Sequence, residues 1–159
     1  MSDFFQALVS DLAARYDAPP FQPHLTLIGS DFHDAFDFSR LDEIQTPAAI
    51  ELQIDSIQFS EKYTKTLFVR FQPHAELTAL RAAVARAIGE DASDDYDPHV
   101  SLIYKTMPAE KKAELARNIE LPFERVPFDA IKAVAVPEKI ETAADVEAWR
   151  DVWQRRLVR

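Results

Sequence analysis

Cysteine is absent from the 159-residue chain, and glycine occurs only twice, as Gly29 and Gly89. Without cysteine the chain cannot form a disulfide, a cysteine-ligated zinc or iron–sulfur site, or a cysteine nucleophile. Two isolated glycines cannot build the glycine-rich loop of a dinucleotide-binding fold or of a P-loop. No serine lies in the G-x-S-x-G turn of an α/β-hydrolase. These absences exclude several large enzyme classes.

Positive charge and long apolar runs are also scarce. The chain has 18 Lys and Arg against 27 Asp and Glu, a net charge of −9, whereas proteins that bind long nucleic acids rely on many Lys and Arg. No apolar run approaches the roughly 18 residues needed to cross a bilayer. The first residues also lack the basic region of a signal peptide. We therefore expect a cytoplasmic protein whose partners include neither a long nucleic acid nor a membrane.

The length corresponds to one domain at about 150 residues per domain. Apolar spacing predicts three helices and six strands, whereas residues 143–159 fit either a helix or a strand. The predicted helices cover 3–16, 74–88 and 108–119, and the predicted strands cover 23–28, 50–59, 66–71, 98–104, 126 onward and 131–136. This mixture predicts an α+β fold.

A short motif occurs twice in the chain. The segment PHLTLI at 23–28 recurs as PHVSLI at 98–103, 75 residues later, with four of six positions identical. Each copy follows a helix and a loop that carries an aromatic residue, Phe21 or Tyr96. The repeat predicts that one half of the chain duplicates the other.

Duplication predicts a bilobal arrangement with a pseudo-twofold axis. The two histidines of the repeated motif would then face each other across a cleft. Residues 1–159 would then form a single domain of two lobes. The first lobe would comprise about 1–60 plus the C-terminal segment, and the second about 61–140.

The chemistry of the motif follows from strand geometry. Side chains at i and i+2 share a face, so His24 projects with Thr26 and His99 with Ser101. Imidazole titrates near neutrality, so one histidine can accept a proton from water while the other donates one to a leaving oxygen. Hydroxyl groups can donate to phosphate oxygens. The pattern favours phosphoryl transfer with no metal and no cofactor.

Two other interpretations of these residues are open. A metal site at His24 and His99 would need further ligands, and no H-E-x-x-H pattern is present. A Ser101 nucleophile activated by His99 would lack a third, orienting group. The remaining histidines, His33 and His74, are interpreted as surface residues.

The paired H-x-[T/S] motifs resemble those of the two-histidine phosphoesterase superfamily. The flanks FQPHLTL (21–27) and DPHVSLIY (97–104) are most similar to its cyclic phosphodiesterase group of plants and yeast. The resemblance implies a bilobal α+β fold whose antiparallel sheets line a central cleft, with helices outside. It also implies metal-independent hydrolysis of 2′,3′-cyclic nucleotides or of ADP-ribose 1″,2″-cyclic phosphate to a phosphomonoester.

The resemblance also implies roles for six residues. His24 and His99 would be the acid–base pair, and Thr26 and Ser101 the phosphate ligands. Tyr104 matches an aromatic that shapes the substrate site, and Tyr63 is a candidate for stacking on the base. Members of the family usually begin with a strand before the first helix, and its counterpart here would fall before Met1.

The partner implied is a small cyclic-phosphate nucleotide bound by a monomer. One alternative is an RNA enzyme that processes terminal 2′,3′-cyclic phosphates or joins RNA ends. A second alternative is a nucleotide-binding module without turnover.

Overall fold

The computed structural model describes residues 1–30 and 36–157. Five helices occur within this part of the chain, and the three long ones match the prediction. Their bounds are α1 Ser2–Tyr16, α2 Ser39–Asp42, α3 Ala75–Ile88, α4 Ala109–Asn118 and α5 Ala143–Glu147. Gly89 ends α3 in the left-handed conformation, with φ of 77°, where glycine carries no steric penalty.

Six strands in the described part of the chain form two antiparallel sheets, so the predicted α+β class is confirmed. Their bounds are β1 Ile50–Phe59, β2 Leu67–Phe71, β3 His99–Ile103, β4 Arg125–Phe128, β5 Ala130–Ala135 and β6 Arg150–Arg156. The larger sheet has the order β3-β2-β1-β4, and the smaller one pairs β5 with β6. A 3₁₀ turn, Tyr63–Lys65, joins β1 to β2.

The predicted strand at 23–28 is wrong as regular structure, because only one bridge, Leu25 to Val100, forms there. Pro23 has no N–H to give to a ladder. The carbonyl oxygens of Thr26 and Leu27 accept hydrogen bonds from the side chains of Tyr96 and Arg81 instead. The segment is therefore extended chain held by side chains.

The core lies between the larger sheet and the helices packed on it. The apolar side chains of β2 and β3 are almost completely buried on both faces of these strands. The core includes Leu12, Leu52, Leu67, Val69, Phe71, Leu77, Leu80, Val100 and Leu102. Because Val100 and Leu102 face this core, His99 and Ser101, which alternate with them along β3, face the other side of the sheet.

The C-terminal tail contains both predicted alternatives in succession, a helix and then a strand. The capping box at Thr142 and Asp145 starts α5, and β6 then pairs with β5. The four-stranded sheet uses residues from 50–128, and the smaller sheet uses residues from 130–156. The lobe boundaries near 60 and 140 stay a prediction. No helix in residues 1–30 and 36–157 is long and apolar enough to cross a membrane.

Candidate active site

The four candidate residues of the repeated motif lie on two adjacent antiparallel segments. Leu25 pairs with Val100. The residues on either side of this bridge therefore face each other, His24 with Ser101 and Thr26 with His99. The structure thus brings together the four residues that the sequence predicts. We call His24, Thr26, His99 and Ser101 the quartet.

The two imidazole rings are anchored in the same way. Nδ1 of His24 lies 2.7 Å from the carbonyl oxygen of Gln22, and Nδ1 of His99 lies 2.7 Å from that of Asp97. Because a carbonyl oxygen only accepts, each Nδ1 carries the proton in the neutral ring. Each Nε2 then holds the lone pair that can accept a proton.

Burial lowers the pKa of both histidines below the ordinary value of 6.5. For His24 the backbone hydrogen bond to Gln22 opposes this effect in part. For His99 the bond to Asp97 opposes burial, and the positive charges of Lys65 and His24 lower the pKa further. The two rings are therefore close enough that protonation of one disfavours protonation of the other.

The two hydroxyl groups differ in their surroundings. Thr26 is exposed, whereas Ser101 is only 5% exposed. The Ser101 Oγ donates a hydrogen bond of 2.8 Å to the carbonyl oxygen of Thr64 in the 3₁₀ turn. Ser101 can therefore donate to a ligand only if its proton leaves this carbonyl.

Aromatic side chains line the surroundings of His24. The centroids of Trp149 and Phe21 lie 5.6 and 6.2 Å from that of His24, both edge-on. Phe21 in turn stacks on Tyr104, with centroids 4.0 Å apart and an interplanar angle of 10°. Tyr63 lies beyond, 6.1 Å from Tyr104.

The predicted substrate-binding tyrosines therefore lie in the aromatic cluster beside His24. Tyr104 follows the end of β3 and is only 3% exposed, with Phe21 covering one face. Tyr63 is half-buried. Burial raises the pKa of both hydroxyls. The substrate-binding roles of Tyr104 and Tyr63 stay a prediction.

Charged residues surround His99 instead. The Asp97 carboxylate accepts from Lys65 Nζ at 2.6 Å and forms an ion pair with Arg70 Nε at 2.9 Å. Lys65 Nζ also lies 4.6 Å from the centroid of the Phe68 ring, and the centroids of the Phe68 and His99 rings lie 5.3 Å apart. Burial alone would raise the pKa of Asp97, but Lys65 and Arg70 outweigh it and lower that pKa.

Sequence reasoning missed this charged group. Asp97 and Gln22 occupy matching positions two residues before His99 and His24, so a comparison of the repeats outside the motif could have found Asp97. Lys65 and Arg70 have no such signal, because only the pairing of β2 with β3 brings them beside His99.

Two side chains from the second repeat hold the segment of the first motif. The Tyr96 hydroxyl donates to the carbonyl oxygen of Thr26 at 2.8 Å. Arg81 Nε donates to that of Leu27 at 2.9 Å, while its guanidinium lies 4.3 Å from the centroid of Tyr96. Tyr96 matches Phe21 in the repeat, so equivalent positions serve different purposes in the two copies.

His74 does not lie in this group. His74 is the N-cap residue of α3, half-buried, with its Nδ1 buried and unpaired. His33 falls outside the described residues. Within the described part of the chain, no three His, Asp or Glu side chains are grouped as a metal site would require.

One concave region lies away from the quartet. An open groove of about 660 Å³ runs between α2 and α3, and its lining includes Arg40, Glu43, Leu80 and Arg86. It contains none of the quartet. The chemistry of the residues, and not the depth of the surface, therefore locates the candidate site.

The sequence pattern of the 2′-5′ RNA ligase superfamily matches residues 2–135. The chain belongs to this superfamily. It comprises the two-histidine phosphoesterases, so the resemblance drawn from the motifs is confirmed at this level. The plant and yeast subgroup stays a prediction. No curated protein has a significantly similar sequence.

Two solved structures share the fold of this superfamily member. The crystal structure of E. coli LigT complexed with 3′-AMP is 14% identical, with a TM-score of 0.60, and covers 99% of this chain and 93% of that one. TT0787 of Thermus thermophilus is also 14% identical, with a TM-score of 0.59 and the same coverage. The predicted α+β fold of antiparallel sheets and helices is therefore confirmed. At this level the protein is an enzyme of the two-histidine phosphoesterase and ligase type.

Proposed function

We propose that the protein is a metal-independent cyclic phosphodiesterase. Its substrates are 2′,3′-cyclic nucleotides or ADP-ribose 1″,2″-cyclic phosphate, and its product is a phosphomonoester. The observation that carries this proposal is the matched anchoring of two imidazole rings, each through Nδ1 to a backbone carbonyl at 2.7 Å. The arrangement leaves two Nε2 atoms for proton transfer at one place.

The reaction needs one neutral and one protonated histidine. The neutral ring accepts a proton from water as the water oxygen bonds to phosphorus. The P–O bond of the cyclic ester breaks, and the protonated ring gives its proton to the departing ribose oxygen. One water is added and no other reactant is consumed. Each proton transfer typically contributes about 100- to 10,000-fold in rate.

The hydroxyl groups of the quartet hold the phosphate. Thr26 is exposed and can donate at once to a non-bridging oxygen. Ser101 does so after its proton leaves the Thr64 carbonyl, from which it is 2.8 Å away. Donors placed in this way stabilise the charge that develops on phosphate oxygens in the transition state.

The aromatic cluster orients the nucleoside. Trp149 lies edge-on to His24 and Tyr63 is half-buried nearby, and base–aromatic stacking is tolerant of base identity. We place the base on the His24 side of the quartet. The product-like ligand 3′-AMP in LigT is of the same chemical class.

A terminal 2′,3′-cyclic phosphate on RNA is the second candidate substrate, because the superfamily is described by RNA ligation. It presents the same reacting group as a free cyclic nucleotide. The net charge of −9 disfavours a long polyanion. Dependence of kcat/KM on chain length separates the two candidates.

Phosphorus NMR of 2′,3′-cyclic AMP with the protein and excess EDTA tests the proposal. We expect a single monophosphate isomer from the wild type and none above background from His24→Ala or His99→Ala. His74→Asn is the matched control, since His74 caps α3 away from the quartet and Asn is a good N-cap residue. It retains full turnover.

Three outcomes contradict the proposal in different ways. Turnover by both alanine variants refutes general acid–base catalysis by His24 and His99. Loss of activity with EDTA refutes metal independence. Tight binding of 2′,3′-cyclic AMP and of ADP-ribose 1″,2″-cyclic phosphate without product indicates a binding module.

A further inference from the structure

The face of the sheet that carries the quartet extends beyond β3. In the pairing of β2 with β3, Arg70 lies opposite His99 and Phe68 lies opposite Ser101. Directly opposed residues of an antiparallel pair share a face. Arg70 and Phe68 therefore continue the floor of the candidate site by one strand.

Two cations lie on this floor, and within residues 1–30 and 36–157 one carboxylate, that of Asp97, pairs with both. Lys65 Nζ covers the Phe68 ring at 4.6 Å and reaches Asp97 at 2.6 Å. Arg70 approaches the same carboxylate through Nε at 2.9 Å and Nη2 at 3.2 Å. The ammonium and guanidinium together have eight N–H donors, so most of them remain for a ligand. This group carries a net charge of +1 in a chain of −9.

The cations are accessible from the side of the quartet. The side chains of Lys65 and Arg70 are 22% and 40% exposed. Neighbouring strands are about 4.8 Å apart, so β2 lies about 7 Å from the line midway between the two motif segments. When the quartet binds the cyclic phosphate, Lys65 and Arg70 therefore remain able to bind another group of the same substrate.

The shape of a nucleotide matches this layout. The base and the 5′ carbon leave the ribose at opposite ends, with the 2′ and 3′ oxygens between them. The aromatic cluster lies beside His24, and the cations lie beside His99. A base placed at the aromatic cluster thus directs the 5′ group towards Lys65 and Arg70.

We propose that Lys65 and Arg70 form a second phosphate site, so that the protein prefers cyclic nucleotides that carry a phosphate on the 5′ oxygen. This inference rests on the proposed function. The Asp97 carboxylate pairs with both cations and holds them beside His99. The site thereby selects substrates by a group remote from the bond that breaks.

The test compares kcat/KM for 2′,3′-cyclic AMP with kcat/KM for its 5′-phosphorylated form. We expect the wild type to favour the 5′-phosphorylated form by about tenfold or more, since hydrogen bonds to charged groups are the strong ones. Lys65→Met and Arg70→Gln each lower this ratio towards one, and Lys65→Arg retains it. Lys111→Met is the matched control, because Lys111 also pairs with a carboxylate at 3.1 Å and covers a tyrosine ring at 5.7 Å.

Equal use of both substrates by the wild type overturns the inference and leaves the proposed function standing. Equal loss on both substrates in Lys65→Met also overturns it, since the lysine would then act on the cyclic phosphate itself. If neither substrate is turned over, the proposed function fails. Calorimetry then tests the second phosphate site without turnover, by comparing the affinity for adenosine 3′,5′-bisphosphate with the affinity for 3′-AMP. Equal affinities refute the site.

Discussion

At the scale of the residue, two histidines with the same backbone anchor differ in everything around them. Burial alone lowers the pKa of His24, and the backbone hydrogen bond to Gln22 opposes this effect. His99 also feels Lys65, Asp97 and His24. The motif makes the rings equivalent, and the neighbouring side chains remove that equivalence.

The directions of these pKa shifts predict the pH dependence of kcat/KM, which reports ionisation in the free enzyme. Activity rises with pH as the base loses its proton and falls as the acid loses its own. Because both pKa values lie below 6.5, we expect a bell-shaped profile whose maximum lies on the acid side of pH 6.5. Initial rates on 2′,3′-cyclic AMP across pH 4.5 to 9 would measure it.

Single replacement of either histidine by Gln should remove the bell together with most of the activity. A profile that stays flat from pH 5 to 9 contradicts proton transfer by the pair. A maximum well above pH 6.5 contradicts the lowered pKa values of the free enzyme.

The quartet could be predicted from sequence because period-two alternation is a local signal and because the six-residue motif recurs with four identical positions. Lys65 and Trp149 could not be assigned in the same way. Their positions beside His99 and His24 depend on pairing between segments distant in the chain, which no local pattern encodes. The predicted substrate-binding roles of Tyr63 and Tyr104 likewise came from resemblance and not from spacing.

At the scale of the element, the two motif segments show how the same sequence pattern is held by different means. The second motif lies in β3 and hydrogen-bonds to β2 along its length. The first has a single bridge, at Leu25. Alternating apolar residues predicted a strand for both, but alternation reports which side chains are buried and not whether a neighbouring strand is present.

Tyr96 therefore has a larger role than its matching residue in the other copy. Tyr96→Phe keeps the ring beneath Arg81 but removes the hydroxyl that donates to the Thr26 carbonyl at 2.8 Å. We expect a loss of about 1 kcal/mol in the free energy of unfolding. We also expect the pKa of His24 to rise towards 6.5, because a looser segment admits more water. Urea unfolding and NMR titration of the histidine rings measure the two effects.

The same titration contains its own control, since the pKa of His99 should not move in this variant. Tyr16→Phe, in α1, is a matched removal of a tyrosine hydroxyl away from the first motif. Equal shifts of both histidines in Tyr96→Phe would indicate general loosening and contradict a specific role at the first motif.

At the scale of the whole molecule, the order of the elements was largely predictable. Helices with one apolar face and the β1–β2 hairpin appear where their patterns place them. Residues 143–159 were ambiguous because Val146, Trp149, Val152 and Trp153 have helical spacing, whereas Trp149, Trp153 and Leu157 share the parity of a strand. The structure divides this stretch between α5 and β6, so neither single period could describe it.

The overall charge predicts weak dependence on long polyanions. With a net charge of −9, the protein should bind a single-stranded RNA of about 20 nucleotides with a Kd weaker than about 100 μM at physiological salt. Anisotropy of a labelled RNA between low and high salt measures both affinity and slope. Micromolar binding with a steep salt slope contradicts this and supports the RNA-end alternative.

The bridge between Leu25 and Val100 has a consequence for the identity of the product. A half-turn about this bridge exchanges the position of His24 with that of His99 and the position of Thr26 with that of Ser101, so the quartet presents one histidine and one hydroxyl group in either direction. Such a centre cannot by itself distinguish the 2′ oxygen of a cyclic ester from the 3′ oxygen. The residues that flank the quartet must therefore determine the isomer. We call them the borders: Trp149 beside His24 and the Lys65–Asp97 pair beside His99. Remodelling those borders, with the quartet untouched, should therefore suffice to convert an enzyme that releases one phosphate isomer into one that releases the other.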